Sequence, residues 1–361
     1  MTDESPVYFA DVRVKQLDAD HSLPAKLTRV LDAANLKSMV KGKKVAIKMH
    51  LGGNVGFTTI HPVFVRKLVE TIKKAGAKSV FVADGSAKGA ELRGYTRKSV
   101  GARIVGLFSF PRTTRKVPMG FRTFDTAEIS NTILNADVLI VLSHVKGHGA
   151  CGFGGAGKNI AMGCTPGRTR SKMHALEGGI TWHAENCTHC NKCIQECPNK
   201  ANKFNDKGNY EIFYHNCTFC RHCVLTCPNK ALTTEGSTFA DFQKGMALVV
   251  KHVVEKFRPN IFFISLLTNI HIFCDCWGFS SASLVPDIGL LASRDIVAIE
   301  RATLDMIKEE NYIPAGLPEG KTLGNGNHLF EKIHGKDPYV MGQFMSEMGL
   351  GVNNYKIINI D

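Results

Sequence analysis

Eight of the twelve cysteines fall in two near-identical stretches. "ENCTHCNKCIQECPNKAN" runs from Glu185 to Asn202, and "HNCTFCRHCVLTCPNKAL" from His215 to Leu232. Each reads C-x2-C-x2-C-x3-C-P: Cys187, Cys190, Cys193, Cys197 and Pro198, then Cys217, Cys220, Cys223, Cys227 and Pro228. A cubane iron–sulfur cluster needs four thiolates arranged tetrahedrally. Two-residue gaps let a turning backbone aim three of them at one centre, while the fourth lies beyond a short helical turn, past easy local reach. The alternative resident is zinc, but zinc sites more commonly carry C-x2-C pairs separated by longer linkers.

The duplicated stretch resembles bacterial-type two-cluster ferredoxins, in which the fourth cysteine of each motif serves the other cluster. Crossed ligation of two 4Fe–4S clusters is therefore expected. Cluster one takes Cys187, Cys190, Cys193 and Cys227, and cluster two takes Cys217, Cys220, Cys223 and Cys197.

Four cysteines lie outside the repeat: Cys151, Cys164, Cys274 and Cys276. Cys151 and Cys164 belong to a glycine-rich stretch, "SHVKGHGACGFGGAGKNIAMGCTPG" (Ser143–Gly167). Its Gly152, Gly154, Gly155 and Gly157 are candidate cofactor contacts, since glycines let backbone N–H groups approach an anion, flavin or nucleotide closely. The match to a nucleotide loop is incomplete, because Asn159 stands where a phosphate loop needs Ser or Thr after Lys158. Cys274 and Cys276 flank Asp275 after the apolar run "IFFISLL". In an extended loop both would point to one side, with Asp275 pointing away. Cys164, Cys274 and Cys276 are thus candidates for a third metal or iron–sulfur site, with His144, His148 and Lys158 as candidate catalytic or completing residues. For Cys151 a buried, inert thiol is expected.

Positioning these groups falls to an alternation of strand-like and helix-like segments. Lys44–Leu51, Lys78–Gly85, Asp137–Ser143, Asn260–Ile270 and Pro286–Ser293 read as strands. His61–Gly76, with Val63, Phe64, Leu68 and Ile72 on one face, reads as a helix, as do Thr126–Ala136, Thr238–Phe257 and Ser293–Glu310, the last capped by Ser293. A last helix and strand follow in "DPYVMGQFMSEMG" and "NYKIINI". The expected fold is α/β: a mostly parallel sheet with helices on both faces and an inserted two-cluster ferredoxin module. Residues 1–182 and 237–361 would form the α/β domain, and 183–236 the insertion. Loops leaving the carboxyl ends of parallel strands would bring the glycine-rich loop 143–167 and the Cys-Asp-Cys loop 271–289 to one crevice.

"VAIKMHLGGNVGFTTIHP", "HVKGHGACGFGGAGKNIAMGC", the ferredoxin repeat and "CDCWGFSSASLVPDIGLLASRDIVAIERATLDMI" together resemble the family catalogued as domain of unknown function 362, in the branch with an internal two-cluster ferredoxin. The similarity runs from about Lys43 to Ile307 in the same motif order. It implies a cytoplasmic redox protein of anaerobic metabolism, without naming a substrate.

The formal net charge is +13. With no aromatic–basic ladder or nucleic-acid motif, that charge points to an acidic redox carrier such as ferredoxin or flavodoxin, or to a larger reductase, not to nucleic acid. No signal peptide and no membrane span are read in the sequence, so a cytoplasmic location is expected. The functional expectation is an iron–sulfur oxidoreductase passing electrons to or from the α/β crevice. The alternatives are a non-catalytic electron-transfer subunit and a metal or cluster carrier.

Overall fold

Apolar runs that end in a polar or charged residue build the strands. In the computed structural model, which describes residues 4–53, 55–109, 113–197, 200–213, 217, 222–234 and 239–360, eight strands form the main sheet. They are β1 (Ser5–Asp11), β2 (Lys44–Lys48), β3 (Ser79–Asp84), β4 (Arg103–Gly106), β5 (Val138–His144), β6 (Ile261–Leu267), β7 (Gly289–Ser293) and β8 (Tyr355–Asn359). Their order is β8-β1-β7-β6-β5-β2-β3-β4. Only β7 runs against its neighbours β6 and β1; the other pairings are parallel.

Both faces of the sheet are buried, so its strands are apolar throughout instead of alternating. Val45, Ile47, Ile140, Leu142 and Ile264 pack under α1 (Leu23–Ala33) and α2 (Pro62–Lys74). Their chain neighbours Ala46, Leu139, Val141 and Phe263 face α3 (Ala156–Gly163), α4 (Phe239–Phe257), α5 (Ile296–Asp305) and α6 (Val340–Glu347). The result is a mostly parallel sheet covered by helices on both sides. The chain leaves β2 for α2 on one face, and approaches β6 from β5 through α4 on the other. The carboxyl ends of adjacent β2 and β5 therefore stand at a topological switch point, where such sheets leave a crevice.

Between residues 180 and 234 the chain leaves this sheet. Ile180–Trp182 pairs antiparallel with Leu232–Thr234, and Asn202–Phe204 with Tyr210–Ile212. The two ladders interchange on a thirty-residue shift: Ile180 opposite Thr234 corresponds to Tyr210 opposite Phe204. The short helices Lys192–Gln195 and His222–Leu225 have the same offset. The described parts of the cysteine repeat are thus related by an approximate two-fold axis. No helix among the described residues is long and apolar enough to cross a membrane.

Several elements differ from the sequence expectation. Thr126–Ala136 is mostly not helical: Phe124–Ser130 is a strand paired with Thr114–Phe121, and only Asn131–Leu134 is helix. The burial of Ala127 and Ile129 on either side of the half-exposed Glu128 shows the period of two that decides it. In α2 the buried stripe is Val65, Leu68, Val69 and Ile72, leaving Val63 at the surface. Ser293 ends β7 and does not cap α5; Asp295 does, accepting from the Val297 and Ala298 N–H groups. The first strand, Ser5–Asp11, lies outside the strands expected from the sequence; its apolar run is only four residues, Val7–Ala10.

Candidate functional site

An open cleft lies where β2, β3 and β5 end, lined among others by Lys48, His50, Asp84, Lys158, Cys274 and Cys276. Lys48, the last residue of β2, is fully buried. Its Nζ donates to Asp84 Oδ1 (3.0 Å), Asn159 Oδ1 (2.7 Å) and the Met49 carbonyl (3.0 Å). Gly163 makes this possible: a Cβ there would come within 2.2 Å of Lys48 Nζ. Asp84 also accepts from the Leu51 N–H (3.0 Å) and Gly85 N–H (2.7 Å) and meets His50 Nδ1 at 2.8 Å. Burial alone would raise the Asp84 pKa, but Lys48 and His50 outweigh it and hold the carboxyl far below the usual range. His50 Nδ1 therefore carries a proton toward Asp84. His50 Nε2 is buried and has no hydrogen-bond partner among the described residues, and the ring lines the cleft.

The Cys-Asp-Cys segment is not extended. Cys274 precedes a 3₁₀ turn, Asp275–Trp277, and its sulfur accepts from the Cys276 N–H at 3.3 Å. Lys158 Nζ donates to Cys274 Sγ at 3.0 Å, and a ring nitrogen of His148 lies within 4.8 Å of the same sulfur. Burial opposes a charged Cys274, but hydrogen bonding from Cys276, the Lys158 charge and His148 pull its pKa well below that of a free thiol. Burial also opposes the Lys158 charge; the Cys274 sulfur outweighs it and raises the lysine above its usual value.

Asp275 points away from the cysteines into a buried polar network. It accepts from His144 Nδ1 (3.0 Å), Lys146 Nζ (2.9 Å) and His271 Nε2 (3.2 Å). His144 Nε2 meets the Thr268 carbonyl at 2.9 Å, so both of its ring nitrogens face acceptors. His271 Nε2 also meets Thr58 Oγ1, which donates to Ser280 Oγ at 2.7 Å. This network ties the 57–58 loop and the 271–280 loop to the end of β5.

Two sets of three donor atoms lie within 4.8 Å of one another among the described residues: His148, Cys274 and Cys276, and His144, His271 and Asp275. Either could hold an ion by proximity, but the second is already satisfied by its own protons and Lys146. Cys164 belongs to neither set. It sits fully buried at the end of α3, its thiol pushed up to about 12 by burial. Cys151 is likewise buried and pushed up to about 12. The third-site trio of Cys164, Cys274 and Cys276 is thus not assembled; His148 takes the place expected for Cys164.

The glycine-rich loop does not present an open helix N-terminus. Buried Glu300 on α5 accepts from the Ala156 N–H. Gly154 and Gly155 line the cleft, whereas Gly152 and Gly157 do not. A Cβ on Gly155 would lie 2.2 Å from Glu300 Oε1, and one on Gly157 would lie 2.7 Å from Met341 Cε. These two glycines serve close packing of α3 against α5 and α6. Sequence reasoning missed Lys48, His50, Asp84, His271 and Glu300. The available signal was a charged or polar residue closing an apolar strand, as in "VAIKMH" and "FVADG".

A second hollow lies in the cysteine repeat and is lined by Cys187, Cys190, Cys193 and Cys227 with Trp182 and Tyr210. Trp182 Nε1 is buried and has no hydrogen-bond partner among the described residues. Cys227 Sγ accepts from the Ala231 N–H at 3.2 Å, and its counterpart Cys197 from the Ala201 N–H at 3.1 Å. Lys200 and Lys230 both hold positive φ in the turn between. Cys217 and Cys223 are described, but Cys220 and Pro198 lie outside the described residues.

The family described as Domain of unknown function (DUF362) matches residues 45–305. The chain belongs to this family. Among solved structures, the DUF362 chain is similar to a protein from Thermotoga maritima, with 14% identity and a TM-score of 0.39, covering 70% of this chain and 52% of that one. It is also similar to the lactate racemase apoprotein from Thermoanaerobacterium thermosaccharolyticum, with 14% identity and a TM-score of 0.36, covering 73% and 51%. The chain spans about half the length of these solved structures. No curated protein matches it.

Proposed function

We propose that the chain is an iron–sulfur oxidoreductase in which two 4Fe–4S clusters exchange electrons with the α/β cleft. The observation that carries this reading is the hollow lined by Cys187, Cys190, Cys193 and Cys227. It joins three cysteines of one repeat to the fourth of the other, the crossed grouping that two-cluster proteins use. The unpartnered Trp182 N–H suits sulfide or thiolate acceptors. These four cysteines are not among the donor sets within 4.8 Å of one another, whereas sulfurs around one zinc ion, with Zn–S about 2.3 Å, would stand about 3.8 Å apart. The approximate two-fold axis supports a second set of Cys217, Cys220, Cys223 and Cys197. When bound, such clusters supply one-electron transfers.

In the cleft, His50 is oriented by Asp84 to take or give a proton at Nε2, and Lys158 and Arg170 favour an anionic substrate. On this reading residues 183–236 are an insertion in the α/β domain, the location is cytoplasmic, and an acidic redox carrier or a larger reductase is the electron partner. Anaerobically isolated protein is expected to carry about eight irons and eight sulfides per chain. Cys227→Ala should lose the cluster held by Cys187, Cys190 and Cys193 and keep the other, read by electron paramagnetic resonance after reduction. Zinc in place of iron, or loss of the Cys217 and Cys223 cluster instead, would overturn the assignment.

A further inference from the structure

We propose that Cys274 and Cys276 are a redox-active dithiol that reduces a small anionic disulfide bound in the cleft. The two sulfurs belong to one tight turn and both line the cleft. Cys274 Sγ accepts from two donors, Lys158 Nζ at 3.0 Å and the Cys276 N–H at 3.3 Å. That environment favours a thiolate, the nucleophilic form in thiol–disulfide exchange.

The same contacts disfavour a metal ion at this cluster. His148 Nδ1 accepts from the Ala150 N–H at 3.1 Å. Burial and the neighbouring Lys158 push the imidazole down to about 3, so the ring is neutral and its single proton sits on Nε2. The Nδ1 lone pair that a metal ligand would need is already taken by the Ala150 N–H. Lys158 adds an ammonium against the sulfur that a cation would have to displace.

The substrate class follows from the walls. Of the cations lining the cleft, Lys48 is paired with Asp84, Lys146 with Asp275 and Lys158 with Cys274 Sγ, which leaves the Arg170 guanidinium to meet an anion. A carboxylated or phosphorylated disulfide fits that charge.

Exchange balances without an outside reagent. Cys274 thiolate attacks one substrate sulfur, the substrate S–S bond breaks, and a mixed disulfide forms. Cys276 then attacks Cys274 Sγ, releasing the second substrate thiolate and closing a Cys274–Cys276 disulfide. The Cys276 proton passes to a leaving sulfur. The substrate gains two electrons and the cysteine pair loses two. Return of the pair to the dithiol rests on the relay proposed above, but the exchange step does not.

The test uses the reduced, full-length holo-protein, freed of reductant under anaerobic conditions. It is mixed with one equivalent of 5,5′-dithiobis(2-nitrobenzoate), a dianionic disulfide, then acid-quenched, and its peptides are mapped by mass spectrometry. Expected is a Cys274–Cys276 peptide lighter by about 2 mass units, with iron content unchanged. Cys276→Ser should stop at a mixed disulfide on Cys274. Between alkyl disulfides, 3,3′-dithiodipropionate, a dianion, should react more slowly and cystamine, a dication, faster as salt rises, the charge preference for the dianion being lost to screening. Lys158→Gln should slow the reaction roughly tenfold near pH 7, with recovery at higher pH. Unmodified Cys274 and Cys276 in iron-loaded protein would overturn the proposal. So would stoichiometric zinc that blocks the pair until chelated, or an unchanged pH profile in Lys158→Gln. A protein that lacks clusters yet performs the exchange would refute the relay and leave the dithiol standing.

Discussion

Asp84→Ala removes the only carboxylate among the described residues that Lys48 pairs with, and Lys48 is fully buried. The ammonium would keep the Met49 carbonyl and Asn159 Oδ1 but lose its charge partner. Breaking a buried pair by deleting one member destabilises by about 3–5 kcal/mol, because the remaining charge stays out of water. With a urea slope of about 3 kcal/mol/M, a loss of about 4 kcal/mol lowers the unfolding midpoint by about 1.3 M. Adding Lys48→Met to Asp84→Asn should recover at least half of what Asp84→Asn alone loses, since no buried charge is then left, and the introduced amide oxygen can still accept from one of the Leu51 and Gly85 N–H groups, which Asp84 bonds through different oxygens. The effect has a defined pH window. The folded pKa of Asp84 is depressed below its unfolded value, so its contribution is present above about pH 4 and lost as pH falls toward the folded value. The gap between parent and Asp84→Ala should be full above about pH 5 and narrow below about pH 4. The assay is urea unfolding followed by far-ultraviolet circular dichroism. A midpoint shift below about 0.3 M at pH 7, or no recovery in the double variant, would refute the reasoning.

Glu300 titrates in the opposite sense: burial pushes its carboxyl up to about 7 despite the Ala156 and Gly157 N–H groups. The folded state then holds a proton that the unfolded state has released, so stability should fall as pH rises from about 4.5 to about 7, by on the order of 3 kcal/mol. Glu300→Gln should flatten that slope in urea titrations from pH 5 to 8; an unchanged slope would place its origin elsewhere. The net charge of +13 should make reduction by an acidic carrier slow steeply between 0.01 and 0.15 M salt, as the Debye length shortens from about 30 to about 8 Å. A stopped-flow rate flat across that range would assign the basic surface to something other than steering.

The features legible in the sequence were those written locally. Two C-x2-C-x2-C-x3-C motifs carry their spacing within a dozen residues each, and apolar runs such as "KVAIK" and "VLIVLSH" declare strands buried on both faces. Strand content and the parallel majority of the sheet followed from them. Which groups meet was decided only in three dimensions. Lys48, His50 and Asp84 become one constellation because β2 and β3 end side by side. Cys164, in the glycine-rich motif, is carried to the buried end of α3, while His148, four residues after His144, reaches Cys274. Glu300, far along the chain, takes the helix N-terminus that the glycine pattern left open for a ligand. Spacing along a chain constrains a contact only over a few residues; beyond that, the meeting of two side chains depends on where whole strands and helices pack, and no local pattern records it.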